Sequence, residues 1–218
     1  MKKIAFFDLD GTLVTCQTQQ QLARVLRTQR ILSERQAAEI FLWFVLYKIG
    51  LVRESIQIRR RVYKVFALRS KEEVDNLIKL TFEQYIKPEI NKSLSSYLVK
   101  HKQNGDLLIC VSGTLNNFCQ LVCQELAINE YHGTELKIVN GCYTGEWENE
   151  ILEGEAKAIF VRKLTERRGF KLEDCYAYCD STTDEPLLEI VGHPVVVSGD
   201  KKLLTKAVTR NWQVIEKQ

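Results

Sequence analysis

Histidine, paired cysteine and long apolar runs are what this chain of 218 residues has little of, and each shortage removes a class of function. The three histidines, His101, His132 and His193, are scattered, so a histidine-based mechanism has little to build on. Cysteine is present seven times, an odd number without paired spacing, which points to a reducing compartment rather than a disulfide scaffold. Cys119 and Cys123 lie four apart on an expected helix, and Cys175 and Cys179 alternate on an expected strand. Neither pair has a histidine in ligand spacing, which argues against zinc. The greasiest run, Ile40 to Tyr47, is bounded by Glu39 and Lys48 and falls far short of the ~20 residues a spanning helix needs. A net charge of +3, evenly spread, gives no electrostatic footprint for nucleic acid. The start Met1-Lys2-Lys3 mimics a signal peptide, but its apolar stretch breaks at Asp8 and no cleavage-like segment follows, so cytoplasmic residence is expected. There is no internal repeat and no low-complexity linker.

What is present is an ordinary globular balance, 45% hydrophobic and 27% charged, enough for one large domain or one domain with a modest insertion. Ile4 to Phe7 is a short apolar run stopped by Asp8, Asp10 and Gly11, the pattern of a buried parallel strand. After Val14 the texture is helical. Leu22, Val25 and Leu26 share one face; Ser33 with Gln36, and Ser70 with Glu73, are capping-box signatures. The first precedes the apolar helix, which Gly50 is expected to stop and which reads as a core helix of a small helical domain. Ile58, Val62, Val65 and Phe66 mark another helix carrying Arg53, Arg59, Arg60, Arg61, Lys64 and Arg69, a basic face that is either solvated or attracts an anionic substrate. From Pro88 strand and helix alternate: strands at 107–111, 176–179 and 194–197, an edge strand at 212–215, a hairpin at 136–147 turning at Asn140-Gly141, and helices between, the last with Asp200 as its cap. The expected fold is therefore α/β, a doubly wound parallel sheet. Residues 1–14 and 88–218 form its core, and a helical cap of residues 15–87 is inserted after the first strand, placed as a lid would be.

Four polar clusters fall at or near carboxyl ends of these sheet elements: Asp8-Leu9-Asp10-Gly11-Thr12, Ser112-Gly113-Thr114, Lys157, and Asp180 with Asp184. Each has a bland reading as a turn, a helix cap, a solvated lysine or an acid at a helix N-terminus. Together on one edge they suit phosphoryl transfer, which needs charge neutralised before an anionic nucleophile can approach a phosphate dianion. Oxygen ligands around Asp8 and Asp180 match Mg²⁺, Lys157 supplies a fixed cation, and Ser112 with neighbouring N–H groups can hold phosphoryl oxygens.

On these four motifs, in this order, the sequence resembles the haloacid dehalogenase-like superfamily. Glu153-Gly-Glu-Ala-Lys157 and Tyr178-Cys-Asp-Ser-Thr-Thr-Asp-Glu-Pro-Leu-Leu-Glu-Ile-Val-Gly-His-Pro-Val195 resemble its phosphoserine-phosphatase-like branch, as does the position of the helical insert. The resemblance implies a Rossmann-like core and a Mg²⁺-dependent phosphatase of a small phosphorylated metabolite. In it Asp8 is the nucleophile that forms an aspartyl-phosphate. Asp10 is the general acid and then base, and its carbonyl binds the metal. Ser112, Gly113 and Lys157 bind the phosphoryl group; Asp180 is a metal ligand and Asp184 supports the metal shell or Lys157. Asp10 argues against true dehalogenases, which need no acid for a halide.

Two positions depart from the branch. Cys179 stands where glycine is common, and Thr183 where phosphoserine phosphatases usually carry asparagine; the insert has no obvious match to their serine-recognising residues. Phosphoserine is therefore not carried over as the substrate. The alternatives left open are a phosphotransferase or mutase of the same fold, a lipid-phosphate phosphatase that meets membranes through the helix at 40–47, and a non-catalytic regulatory module.

Overall fold

The computed structural model describes residues 2–48, 56–198 and 200–216; Gly50 and Arg53, both named above, lie outside them. In chain order the elements begin with β1 (Ile4–Phe7), α1 (Thr18–Thr28), α2 (Glu34–Lys48), α3 (Ile56–Lys64) and α4 (Lys71–Thr81). Then come α5 (Ser95–Gln103), β2 (Leu107–Leu115), α6 (Asn116–Glu125), β3 (Glu130–Thr134), β4 (Leu136–Val139) and β5 (Cys142–Trp147). The last are α7 (Glu155–Arg167), β6 (Tyr176–Cys179), α8 (Glu185–Ile190), β7 (His193–Val197), α9 (Lys201–Thr209) and β8 (Gln213–Ile215). They divide into two compact units, Met1–Cys16 with Glu89–Thr134 and Glu150–Gln218, and Gln17–Pro88 with Glu135–Asn149.

The first unit is a six-stranded sheet ordered β3-β2-β1-β6-β7-β8, every neighbouring pair parallel. This is the doubly wound order, in which the chain walks outward from β1 on one side and then restarts on the other. The switch point lies between β1 and β6, the place where such sheets bind ligands. Ile4, Ala5, Phe6 and Phe7 are all fully buried, as a central strand covered on both faces requires. Phe7 stacks on Tyr178 of β6 with ring centroids 4.5 Å apart and planes 9° from parallel.

Two features of the sheet differ from the sequence expectation. The second strand does not stop at Val111 but runs to Leu115, so Ser112, Gly113 and Thr114 lie inside it. Its pairing to β1 ends at Cys110, and its register to β3 shifts between Val111 and Leu115, so the segment leaves the regular ladder. Strand β3 itself was not anticipated, because Glu130, Tyr131 and His132 are polar or half-exposed, as suits a sheet edge.

The second unit holds α1 to α4 and the antiparallel hairpin β4–β5. Asn140 and Gly141 both take positive φ (51° and 78°), the left-handed turn a two-residue hairpin needs. At the expected starts the Ser33 box forms in full, whereas Ser70 forms only the N-cap half and the Glu73 carboxylate pairs with Arg69. Gln36 N–H donates to Ser33 Oγ (3.3 Å) while Ser33 N–H donates to Gln36 Oε1 (3.0 Å); Glu73 N–H donates to Ser70 Oγ (3.1 Å). Leu22, Val25, Leu26, Val62, Tyr63, Phe66, Val74 and Ile78 supply the core. The apolar helix α2 departs from the core-helix expectation: Ile40 is buried, but Phe41, Leu42 and Val45 are 69%, 54% and 38% exposed. Nor is the basic group simply solvated. Arg59 is buried, and Arg61 bonds Glu39 Oε1 at 2.9 Å and lies 4.2 Å over the Trp43 ring. No helix among the described residues is long and apolar enough to cross a membrane.

Candidate active site

Asp8 follows β1 directly, and its N–H donates to Tyr178 C=O (3.0 Å), the last ladder bond before the chain turns. The turn is folded back on itself. Leu9 C=O accepts from Thr12 N–H (3.2 Å) and Val14 N–H (3.1 Å), and Asp8 C=O accepts from Leu13 N–H (3.4 Å). Gly11 sits at φ 78°, and a Cβ there would stand 2.0 Å from Asp180 Oδ2. The Asp180 carboxylate thus occupies the space that a side chain at position 11 would fill, pressing the loop after β6 against the loop after β1. Glycine at 11 is required twice over, for its dihedral and for its missing side chain.

Lys157 reaches the same place from the first turn of α7. Its side chain is buried, and Nζ lies 2.7 Å from both Asp8 Oδ1 and Asp184 Oδ1. Burial disfavours the ammonium, but Asp184 and Asp8 outweigh it and hold Lys157 well above its ordinary pKa, so it stays charged. Burial also pushes Asp184 up to about 6, and the nearby Asp8 charge adds to that while Lys157 opposes it. A buried arrangement of this kind is costly to build and is poor evidence of a stability device. What it secures is a fixed positive charge against one oxygen of Asp8; Oδ2 has no hydrogen-bond partner among the described residues.

The loop from Asp180 to Asp184 is held by Asp200. Its Oδ2 accepts from Thr182 N–H (2.9 Å) and Thr182 Oγ1 (2.8 Å), and its own N–H donates to Asp180 C=O (3.1 Å). Its Oδ1 accepts from Lys202 N–H and Leu203 N–H, both at 2.9 Å, capping α9 as the sequence suggested. One carboxylate therefore serves a helix start and the loop beside it. The sequence signal was an N-cap aspartate just past the neighbouring strand's carboxyl end, which sequence reasoning read only as a cap.

The remaining candidates occupy the same edge. Ser112 is 3% exposed, and its Oγ accepts from Thr114 N–H at 3.3 Å. Gly113 C=O accepts from Thr134 Oγ1 at 2.7 Å. Since Phe7 pairs with Cys110, Asp8 is level with Val111, and Ser112 stands one residue farther along. Asp10 is partly exposed, and its backbone bridges to Val14. The structure thus brings Asp8, Lys157 and Asp184 into contact and sets Asp180 against Gly11.

Two further groups lie behind the edge. His101, treated as one of three scattered histidines, joins Asp106 Oδ2 through Nδ1 (2.8 Å) and the Tyr178 hydroxyl through Nε2 (2.7 Å). This buried chain ends on the residue whose carbonyl receives the Asp8 N–H. Nothing in the spacing of residues 101, 106 and 178 announces it. Cys179 is fully buried within β6, and burial holds its thiol protonated, far above its ordinary value. A small apolar-like side chain is therefore accommodated where glycine is common.

Among the described residues, no three His, Cys, Asp or Glu side chains gather as a metal-holding group. The donor set expected for Mg²⁺ is two carboxylates, Asp8 and Asp180, one backbone carbonyl, and water for the rest. The donors are all oxygen, and Asp180 lies against the turn after Asp8. The residues fit a hard cation and would not suit zinc.

The model of the haloacid dehalogenase-like hydrolases matches residues 5–189. A phosphoserine phosphatase of Mycobacterium tuberculosis is 27% identical over 213 residues, 96% of this chain and 69% of that protein. A histidinol-phosphatase of Neisseria meningitidis is 27% identical over 220 residues, 99% of each. Among solved structures, a Bordetella pertussis protein of unknown function superposes with TM-score 0.86 at 26% identity, covering 99% of both chains. A phospho-aspartyl intermediate analogue of phosphoserine phosphatase has TM-score 0.76 at 21% identity, covering 100% of this chain and 94% of that one, a likeness of fold.

Proposed function

The chain belongs to the haloacid dehalogenase-like hydrolases, in their phosphoserine-phosphatase-like branch, and on that premise we propose that it is a Mg²⁺-dependent phosphatase of a small phosphomonoester, working through an aspartyl-phosphate on Asp8. The observation that carries the proposal is the buried Lys157 ammonium 2.7 Å from Asp8 Oδ1. It pairs with one carboxylate oxygen and orients the group, with Oδ2 left to attack.

In the first step Asp8 Oδ2 bonds to phosphorus and the ester P–O bond breaks, while Asp10 gives its proton to the departing alkoxide. In the second, Asp10 takes a proton from water. The water oxygen bonds to phosphorus, and Asp8 leaves as the carboxylate with inorganic phosphate as product. Ser112 and the N–H of Gly113 contact phosphoryl oxygens, and Asp184 fixes Lys157. Asp8, Asp180 and the Asp10 carbonyl would hold Mg²⁺, which when bound draws negative charge from the phosphoryl oxygens.

The division of labour is part of the proposal: residues 1–14 and 88–218 do the chemistry, and the helical cap of residues 15–87 selects the substrate. The relatives named for phosphoserine and histidinol phosphate support a small phosphorylated metabolite as the substrate class. Release of p-nitrophenol from p-nitrophenyl phosphate, with Mg²⁺ and with chelator, tests the reading. Turnover should require the metal and vanish in Asp8→Asn; full activity in that variant would remove the nucleophile.

A further inference from the structure

The outward face of α2 has no role in the proposed chemistry. Ala38, Phe41, Leu42 and Val45 repeat at helical spacing, i, i+3, i+4 and i+7, and all four are exposed, with Phe41 at 69%. A helix in water ordinarily turns such a stripe inward, as α1 does with Leu22, Val25 and Leu26. Here the opposite side is already committed: Ile40 is buried, and Trp43 lies under the Arg61 guanidinium. The stripe is therefore surplus to the unit's own core, and contiguous exposed apolar surface of this kind marks an interaction site.

Charge identifies the occupant. The unit that carries α2 has 15 Lys and Arg against 10 Asp and Glu, a net +5, while the sheet unit has 16 against 18 and is net −2. Next to α2, the helix α3 adds the exposed cations Arg60 and Lys64 and no acid. A second copy docking through this face would bring two units of net +5 together. A nucleic acid would use the cations but leave Phe41, Leu42 and Val45 in water. An anionic lipid surface uses both, apolar side chains at the acyl boundary and cations at the headgroups. At 15 residues, about 22 Å long, α2 is too short to span the hydrocarbon core, so it would lie in the interface plane.

We infer that the exposed apolar face of α2, flanked by the basic helix α3, docks the protein reversibly on anionic bilayers. Docking needs no turnover, so its failure and the failure of the phosphatase reading are read separately.

The test is sedimentation of the full chain with phosphatidylcholine vesicles and with vesicles holding about one third phosphatidylserine, a composition that gives the surface potential basic residues read. The chain should sediment with the anionic vesicles only, and less as salt rises. Replacing Phe41, Leu42 and Val45 together by serine should lower partitioning at least about tenfold. Because these side chains are exposed, the melting temperature and vesicle-free p-nitrophenyl phosphate hydrolysis should not change. Arg60→Gln with Lys64→Gln, which leaves the apolar face intact, should weaken binding and flatten its salt dependence. No sedimentation with anionic vesicles overturns the inference, as does undiminished binding by the serine variant. Concentration-dependent dimerisation abolished by the same substitutions would assign the face to a second copy and overturn it too.

Discussion

In the sheet unit, Lys157, Asp8 and Asp184 are 2%, 7% and 2% exposed; in the inserted unit, Phe41, Leu42 and Val45 stand in solvent. Each arrangement inverts the usual rule that charge goes outside and apolar surface inside. The inversions differ in kind. The buried charges satisfy one another at 2.7 Å and leave Asp8 Oδ2 open, as the proposed nucleophile requires. The exposed apolar face has nothing to satisfy it among the described residues of its own unit, so it points to something outside the chain.

The sharpest break of this comparison is Lys157→Met. It should abolish turnover and destabilise the fold by about 3–5 kcal/mol, because Asp8 and Asp184 would be left buried without a counter-charge. Urea denaturation reads the loss, and adding Asp184→Asn should recover part of the stability but none of the activity. Equal stability of Lys157→Met and wild type would show that the charges are solvated.

Asp10→Asn should cost ~10²–10⁴-fold with an alkyl phosphate, whose leaving group needs a proton. With p-nitrophenyl phosphate, whose leaving group needs little protonation, the first step should be nearly spared and the second should limit turnover. A first step slowed equally on both substrates would deny Asp10 its acid role.

Within the inserted unit, Phe66→Ala should cost about 3–5 kcal/mol, whereas Phe41→Ser should stay within about 0.5 kcal/mol. A comparable loss at Phe41 would mean that α2 contributes to its own core through that face.

The smallest effect concerns Asp200. Burial alone would raise its pKa, but the N–H groups of Leu203, Thr182 and Lys202 and the Thr182 hydroxyl outweigh it, and the net shift is downward. A lowered folded pKa gives stability that is present above the ordinary carboxylate range, near 4, and is lost as pH falls through the folded value. Asp200→Ala should therefore cost about 1 kcal/mol or less near neutrality, the site being exposed, and nothing in strong acid. Thermal melts of the two proteins across pH measure the difference.

The contrast between the units also explains what could be read in advance. The sheet unit was legible because a buried strand writes itself as an apolar run, and a carboxylate at its end breaks that run visibly, as at Ile4 to Asp8. The helix caps at Ser33 and Ser70 were legible because both partners lie three residues apart. Strand β3 was not, since an edge strand needs no apolar run and Glu130, Tyr131 and His132 supply none. The reach of β2 through Ser112 to Leu115 was hidden because irregular pairing with β3 is set by tertiary contact. The joining of Asp106, His101 and Tyr178, and the second use of the Asp200 cap, depend on elements far apart in the chain. For α2, an all-apolar pattern carries no phase and cannot say which side faces inward.

The central claim, that Asp8 carries the phosphoryl group, is tested most directly by acid-quenching Asp10→Asn with p-nitrophenyl phosphate and mapping its peptides by mass spectrometry. Asp10→Asn lacks the base for the second step, so the intermediate should accumulate. The account predicts a burst of p-nitrophenol matched by one phosphoryl group on Asp8. A burst with the phosphoryl group on any other residue, or steady turnover with Asp8 never modified, would contradict it.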